Sequence, residues 1–252
     1  MNAPATHAYI ERALELYRSG RPLIIYDTET TGLLRPEMPA PEPWHIAAIK
    51  RYPDGRRLEA ERILYLAENL PPIVVELCAV AADMPHLTGK PPAEVLPSFG
   101  NFIKGAVIVG HNIIDFDNPV MVAAYENVGA EVPVQFTETD VAAHKLRPRY
   151  GIDTKWLAYA VLRDCAPRHI QTPNDRTWGY DERGRKIYPY SLTALGRFLE
   201  CSFVQEELHN AMADIRLCEQ VLDELLARGA AILRACGQRS SAPLVPPALP
   251  TP

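Results

Sequence analysis

Leu23-Ile24-Ile25-Tyr26-Asp27-Thr28-Glu29-Thr30-Thr31-Gly32-Leu33 runs from an apolar stretch into two acids and then into a turn. Leu23 to Asp27 is a short, branched, apolar run and predicts a buried strand. Side chains alternate along a strand, so Asp27 and Glu29 leave the same face and Thr28 the other. Thr30-Thr31-Gly32 then breaks the strand. Paired acids on an apolar strand are costly unless something cationic lies between them. Two carboxylates beside a flexible turn suit a hard divalent cation. A solvated strand end with a capping acid would use the same residues.

Working outward, residues 9–19 read as an amphipathic helix with Ile10, Ala13, Leu14 and Tyr17 on one face, stopped by Gly20. Residues 45–52 and 62–66 predict two further strands, joined by the turn Pro53-Asp54-Gly55. The proline-rich residues 35–43 predict a loop. Helical patterns follow at 73–82, 93–103, 119–127, 141–146 and 155–162. Strands are expected at 106–110 and at 135–137, the latter delivering Asp140. Ser191 caps a helix to Leu199, and a last helix runs from Ala211 to Arg228 and toward Cys236. A three-strand meander followed by alternating helices and strands is an α/β pattern with a mixed sheet. The expected organisation is an N-terminal helix in residues 1–22, one domain over 23–238, and a tail over 239–252. Residues 240–252 hold five prolines and no charged side chain, which suggests disorder or a short partner-binding segment.

Further acids stand far along the chain. Gly110-His111-Asn112-Ile113-Ile114-Asp115-Phe116-Asp117 follows a predicted strand and opens a helix. Asp117 there is either the helix cap or a ligand, and Asp115 is a rival for the ligand role. His209-Asn210-Ala211-Met212-Ala213-Asp214 opens the last helix. A spacing of five is about 140° on a regular helix. The two side chains converge if His209 sits on the connection, Asn210 caps, and Asp214 lies in the first turn. A histidine there suits a general base near neutral pH, although a solvated residue before a helix reads the same way.

Together, D-x-E-T-T-G, then G-H-N followed by F-D, then H-x-x-x-x-D, resemble the DEDDh-type 3′→5′ exonucleases. These include the proofreading exonuclease subunit of bacterial DNA polymerase III and ribonuclease T. The resemblance runs from about Leu23 to Leu225. It departs from the family in one extra residue between Asn112 and Phe116, and in a longer proline-rich stretch after Leu34. It implies a ribonuclease-H-like fold: a mixed central sheet of a three-strand meander plus parallel strands, flanked by helices. It also implies two Mg²⁺ or Mn²⁺ ions held by Asp27, Glu29, Asp117 and Asp214, with His209 deprotonating the attacking water. Thr28, Thr30, Leu33, His111 and Asn112 are the implied substrate contacts. The implied reaction releases nucleoside 5′-monophosphates from single-stranded DNA or RNA 3′ ends. DNA is favoured because nothing in the motifs reads a 2′-hydroxyl. A polymerase or another repair or replication protein is an implied partner. A phosphodiesterase for very short oligonucleotides is the alternative. A non-catalytic binding module is the rival from another class, but it would more naturally lack one of the five residues.

The bulk numbers are compatible with this reading. The chain has 252 residues, 47% hydrophobic and 23% charged, with a formal net charge of −5. That balance argues against a broad basic grip on duplex nucleic acid. Acids reserved for metal inflate the acidic count. No signal peptide or membrane span is visible, and the five scattered cysteines suit free thiols in a reducing cytoplasm. Residues 176–190 interleave basic residues with Trp178, Tyr180, Tyr188 and Tyr190. They suit either a single-strand contact or a hairpin whose aromatics pack on the core.

Overall fold

The computed structural model describes residues 3–137, 139–140, 147–148, 151–162 and 190–235. At its centre is a five-stranded sheet, built from β1 (Leu23–Thr30), β2 (Pro43–Arg51), β3 (Arg57–Ile63), β4 (Val107–Gly110) and β7 (Gly151–Asp153), in the order β3-β2-β1-β4-β7. The first three strands form an antiparallel meander, and β4 and β7 add in parallel. This is the mixed sheet expected from the sequence. Two-residue strands β5 (Thr139–Asp140) and β6 (Arg147–Pro148) pair separately.

Alternation along β1 divides the core. Leu23 and Ile25 face one side, with Ile49, Val107, Val109 and Ile152. There they meet α1 (Ala3–Tyr17), α7 (Thr154–Leu162) and α9 (Ala211–Ala235). Ile24 and Tyr26 face the other side, with Ile46, Ala48 and Ile108, toward α4 (Pro92–Ile103) and α5 (Asp117–Asn127). Asp27 and Glu29 therefore point to the α9 face, and Thr28 to the α5 face. Arg51, nearly buried on β2, ties α9 to the sheet through Asp223 at 3.0 Å and Glu219 at 3.6 Å.

Three elements differ from expectation. Residues 135–137 are not a strand: α6 (Val134–Thr137) is a helical turn in which the Phe136 amide donates to the Pro133 carbonyl at 3.0 Å. Proline fixes φ near helical values, and three residues carry too little periodicity to argue otherwise. The helix expected at 73–82 stops early: α2 (Pro72–Cys78) ends where Ala79 turns left-handed at φ 51°, and a separate short helix, α3 (Met84–Thr88), follows beyond the expected range. The strand expected at 62–66 begins earlier, at Arg57, and its charged, exposed residues mask the pattern. Ser191 caps α8 (Leu192–Phe198) as expected, accepting from the Ala194 amide at 3.2 Å.

The expected helix at 141–146, most of the aromatic stretch 176–190, and the tail lie outside the described residues. Of that stretch, Tyr190 is buried and packs edge-on against Tyr159. Among the described residues no helix is long and apolar enough to cross a membrane. Cys78, Cys201 and Cys218 are free thiols.

Gly110 ends β4 where the chain turns back over β1. A Cβ there would lie 2.2 Å from Cγ2 of Ile113 and 2.8 Å from the Tyr26 carbonyl oxygen. Gly110→Ala is expected to cost about 1–3 kcal/mol through overpacking. Denaturant unfolding measures it, and an unchanged midpoint would contradict the close approach.

Candidate active site

β4 is only four residues long, so β1 runs past it, and Asp27 and Glu29 lie beyond the last β1–β4 pair, Ile25 with Val109. Clefts at the carboxyl ends of parallel strands are common ligand sites. On the opposite edge the register with β2 shifts between Glu29 and Thr30, leaving Trp44 as the extra residue of a bulge. Bulges bend a strand and re-aim its side chains.

The α9 face brings a third acid. Asp214 lies in the first turn of α9. Asn210 caps that helix, its Oδ1 accepting from the amides of Met212 at 3.0 Å and Ala213 at 3.3 Å. The cap fixes the entry of the chain. His209 precedes it with a left-handed φ of 69° and an exposed side chain. One carboxylate oxygen from each of Asp27, Glu29 and Asp214 lies within 4.8 Å of the other two. Two oxygens bound to one Mg²⁺ at about 2.1 Å can be no more than about 4.2 Å apart. A small contraction would thus let the three share an ion.

The acids are strained without a cation. Asp27 is raised well above the usual carboxylate range by burial, then by the charges of Asp117, Glu29 and Asp214. Glu29 rises to about 7 through burial and the charge of Asp214. Asp214 rises to about 6 through burial, opposed by the charge and backbone amide of His209. Oxygen donors alone, mutually repelling and open to a cleft, form a donor set for a hard divalent ion.

Asp117 arrives from the other face of the sheet. It is the first residue of α5, buried, and does not act as the cap. Its Oδ1 accepts from the Thr28 hydroxyl at 2.6 Å and the Thr28 amide at 3.1 Å. That amide faces the side that β4 has vacated. Burial raises Asp117 to about 7, with the Thr28 bonds opposing. Asp117 lies outside the three-acid group but close enough to act on Asp27. Asp115 is exposed.

The expected substrate contacts divide. Thr28 spends its hydroxyl on Asp117, and Thr30 donates to the Gly32 carbonyl at 2.6 Å. Leu33 is 74% exposed on the loop after β1. His111 Nδ1 lies 3.0 Å from Thr154 Oγ1, and burial lowers its pKa to about 3, helped by Lys155. Asn112 takes a left-handed φ of 68°, and its Oδ1 accepts from Lys155 Nζ at 2.9 Å.

Some neighbours were not legible in the sequence. A pocket of about 240 Å³ opens beside the acids, lined by Glu29 and His209 together with Trp44, His45, Glu61 and Cys78 among others. Cys78 Sγ lies 3.5 Å from Glu29 Oε2. The antiparallel register that sets His45 opposite Glu29 was recoverable only from strand alignment. Asp153, fully buried, sits at the end of a three-residue strand too short for any periodic signal.

The chain matches no protein-family model. It is 25% identical over 223 residues to the DNA polymerase III subunit epsilon of Treponema pallidum (strain Nichols), covering 87% of this chain and 83% of that protein. E. coli Exonuclease I in complex with a dT13 oligonucleotide superposes with a TM-score of 0.60 at 16% identity, over 85% of this chain and 43% of that one. Exonuclease I without ligand gives 0.59 at 17% identity, over 85% and 44%. The chain therefore spans less than half the length of those Exonuclease I chains. The fold is shared with Exonuclease I, a ribonuclease-H-like fold, and the order of the acidic motifs is similar to that of the DEDDh-type 3′→5′ exonucleases.

The shifts carry a sign. Asp117 and Asp214 titrate at about 7 and about 6 in the fold, against an ordinary 3.8, and Glu29 at about 7 against 4.5. Between those values the folded chain holds more protons than the unfolded one, so stability falls as pH rises. With EDTA, the melting temperature is expected to drop from about pH 5 to about pH 8, and added Mn²⁺ to restore most at the upper end. A gap between the two curves that does not widen with pH would contradict the repulsion.

Proposed function

We propose that the chain is a divalent-metal-dependent exonuclease that shortens single-stranded nucleic acid from the 3′ end and releases nucleoside 5′-monophosphates. The observation that carries this is the convergence of Asp27, Glu29 and Asp214, with Asp117 at their edge and His209 at their mouth. Asp27, Glu29 and Asp214 would hold one Mg²⁺ or Mn²⁺, and Asp27 with Asp117 the second. Bound there, the ions would supply Lewis-acid stabilisation of the attacking and leaving oxygens of an in-line displacement.

The protein's own part is positional and protolytic. Thr28 fixes one oxygen of Asp117, leaving the other to turn toward Asp27. The imidazole of His209, exposed at the edge of the pocket, takes the proton of the attacking water. Leu33, exposed on the loop after β1, offers an apolar surface to a base. The Asn112 side chain keeps its amide nitrogen for the strand, since its oxygen is held by Lys155. DNA is the favoured substrate, supported by the Exonuclease I likeness, whose structure holds dT13. A polymerase partner is supported by the likeness to an epsilon subunit. The small pocket beside Glu29 and the net charge of −5 also suit very short oligonucleotides.

The test is a 5′-labelled single strand, DNA and RNA in parallel and in a length series, with Mg²⁺ or Mn²⁺. Progressive loss from the 3′ end is expected, faster on DNA. Asp27→Ala is expected to lower kcat at least about a thousandfold, and His209→Ala by about 10²–10⁴. No shortening of any strand would sink the assignment, and a peak of rate at two or three nucleotides would move it to the short-oligonucleotide reading.

A further inference from the structure

Asp153 is the one fully buried carboxylate among the described residues that the proposed chemistry leaves unused. Its carboxylate accepts from three backbone amides. Oδ1 accepts from Asn112 N at 3.0 Å and from Lys155 N at 2.9 Å, and Oδ2 from Ile114 N at 3.1 Å. Asn112 and Ile114 open the turn that leads to Asp117. Within it the Asp115 and Phe116 amides bond back to the Asn112 carbonyl, and the Asn118 amide to the Ile113 carbonyl at 2.8 Å. The Asn112 and Ile114 amides have no such partner within the turn. A buried amide left unpaired is costly, so the turn holds this shape only while Asp153 accepts both.

Asp153 is itself held from a distance. The Tyr9 hydroxyl on α1 donates to the Asp153 carbonyl at 3.2 Å and accepts from the Asp153 amide at 3.1 Å. Lys155, two residues on, reaches back to Asn112 Oδ1 at 2.9 Å. The N-terminal helix, β7 and the His111–Asp117 turn thus form one hydrogen-bonded chain.

Resting on the exonuclease reading above, we propose that Asp153 is the positioning residue for Asp117, setting where that carboxylate meets Asp27, and that Tyr9 on α1 is its brace. Asp153 touches no substrate. The extra residue in this turn, between Asn112 and Phe116, is accommodated because Asp153 pins its near end and Thr28 its far end.

Asp153→Asn keeps the shape and replaces one acceptor oxygen with a donor that faces an amide N–H. The full-length variant is compared with wild type by amide hydrogen exchange at residues 112–117, by Mn²⁺ titration calorimetry, and by strand shortening. The expected result is a folded protein with faster exchange at Asn112 and Ile114. Its Mn²⁺ binding is weakened at the Asp117 side only, and kcat falls about 10- to 100-fold with KM nearly unchanged. Tyr9→Phe is expected to move exchange and kcat in the same direction by a smaller factor, and it decides the matter if Asp153→Asn does not fold. A folded Asp153→Asn with wild-type exchange and kcat, or a Tyr9→Phe that changes neither, overturns the proposal. A wild-type chain that shortens no strand would sink the exonuclease reading alone, because the exchange comparison still decides whether Asp153 holds the turn.

Discussion

The repulsion among carboxylates at the carboxyl end of β1 is the constraint around which the molecule is arranged. Asp27, Glu29 and Asp214 bring oxygens within 4.8 Å of one another, and burial raises each above the ordinary carboxylate range. No packing requirement calls for this. Apolar side chains at the same places would extend the core and cost nothing in charge. The rest of the fold holds the acids where they repel. Arg51 ties α9 to the sheet, Asn210 fixes the start of α9, and Thr28 captures Asp117.

The sheet explains how acids so distant in sequence meet. β1 lies at its centre, and its two faces look at different helices. The odd-numbered face delivers Asp27 and Glu29 to α9, while the even-numbered face delivers Thr28 to α5. Because β4 stops early, the turn that begins α5 can fold over the end of the sheet and bring Asp117 to the same cleft. Strand length, as much as residue identity, builds the site.

Much of this was legible in the sequence. The apolar run before Asp27 specified a buried strand, and period two put Asp27 and Glu29 on one face. The spacing of His209 and Asp214 allowed convergence only if Asn210 capped the helix and left His209 outside it, and the structure has that arrangement. The choice between Asp117 and Asp115 was open in sequence because loop length is not a local property. Their tertiary surroundings differ: Asp117 is buried against Thr28, while Asp115 is exposed, and that difference supports the proposed role of Asp117. The part that stayed hidden had no periodic signal. β7 is three residues long, α6 is a single turn set by Pro133, and the charged face of β3 masks a strand. Asp153 was invisible for the same reason, since its partners are backbone amides that every residue carries.

The central claim is that Asp27, Glu29 and Asp214 form a divalent-cation site. Crystals of the full chain grown with Mn²⁺, with diffraction recorded at the manganese absorption edge, test it most directly. The account predicts an anomalous peak within bonding distance of all three carboxylates, and a second peak between Asp27 and Asp117 when a strand end is bound. Crystals saturated with Mn²⁺ that show no peak at the three acids would contradict it.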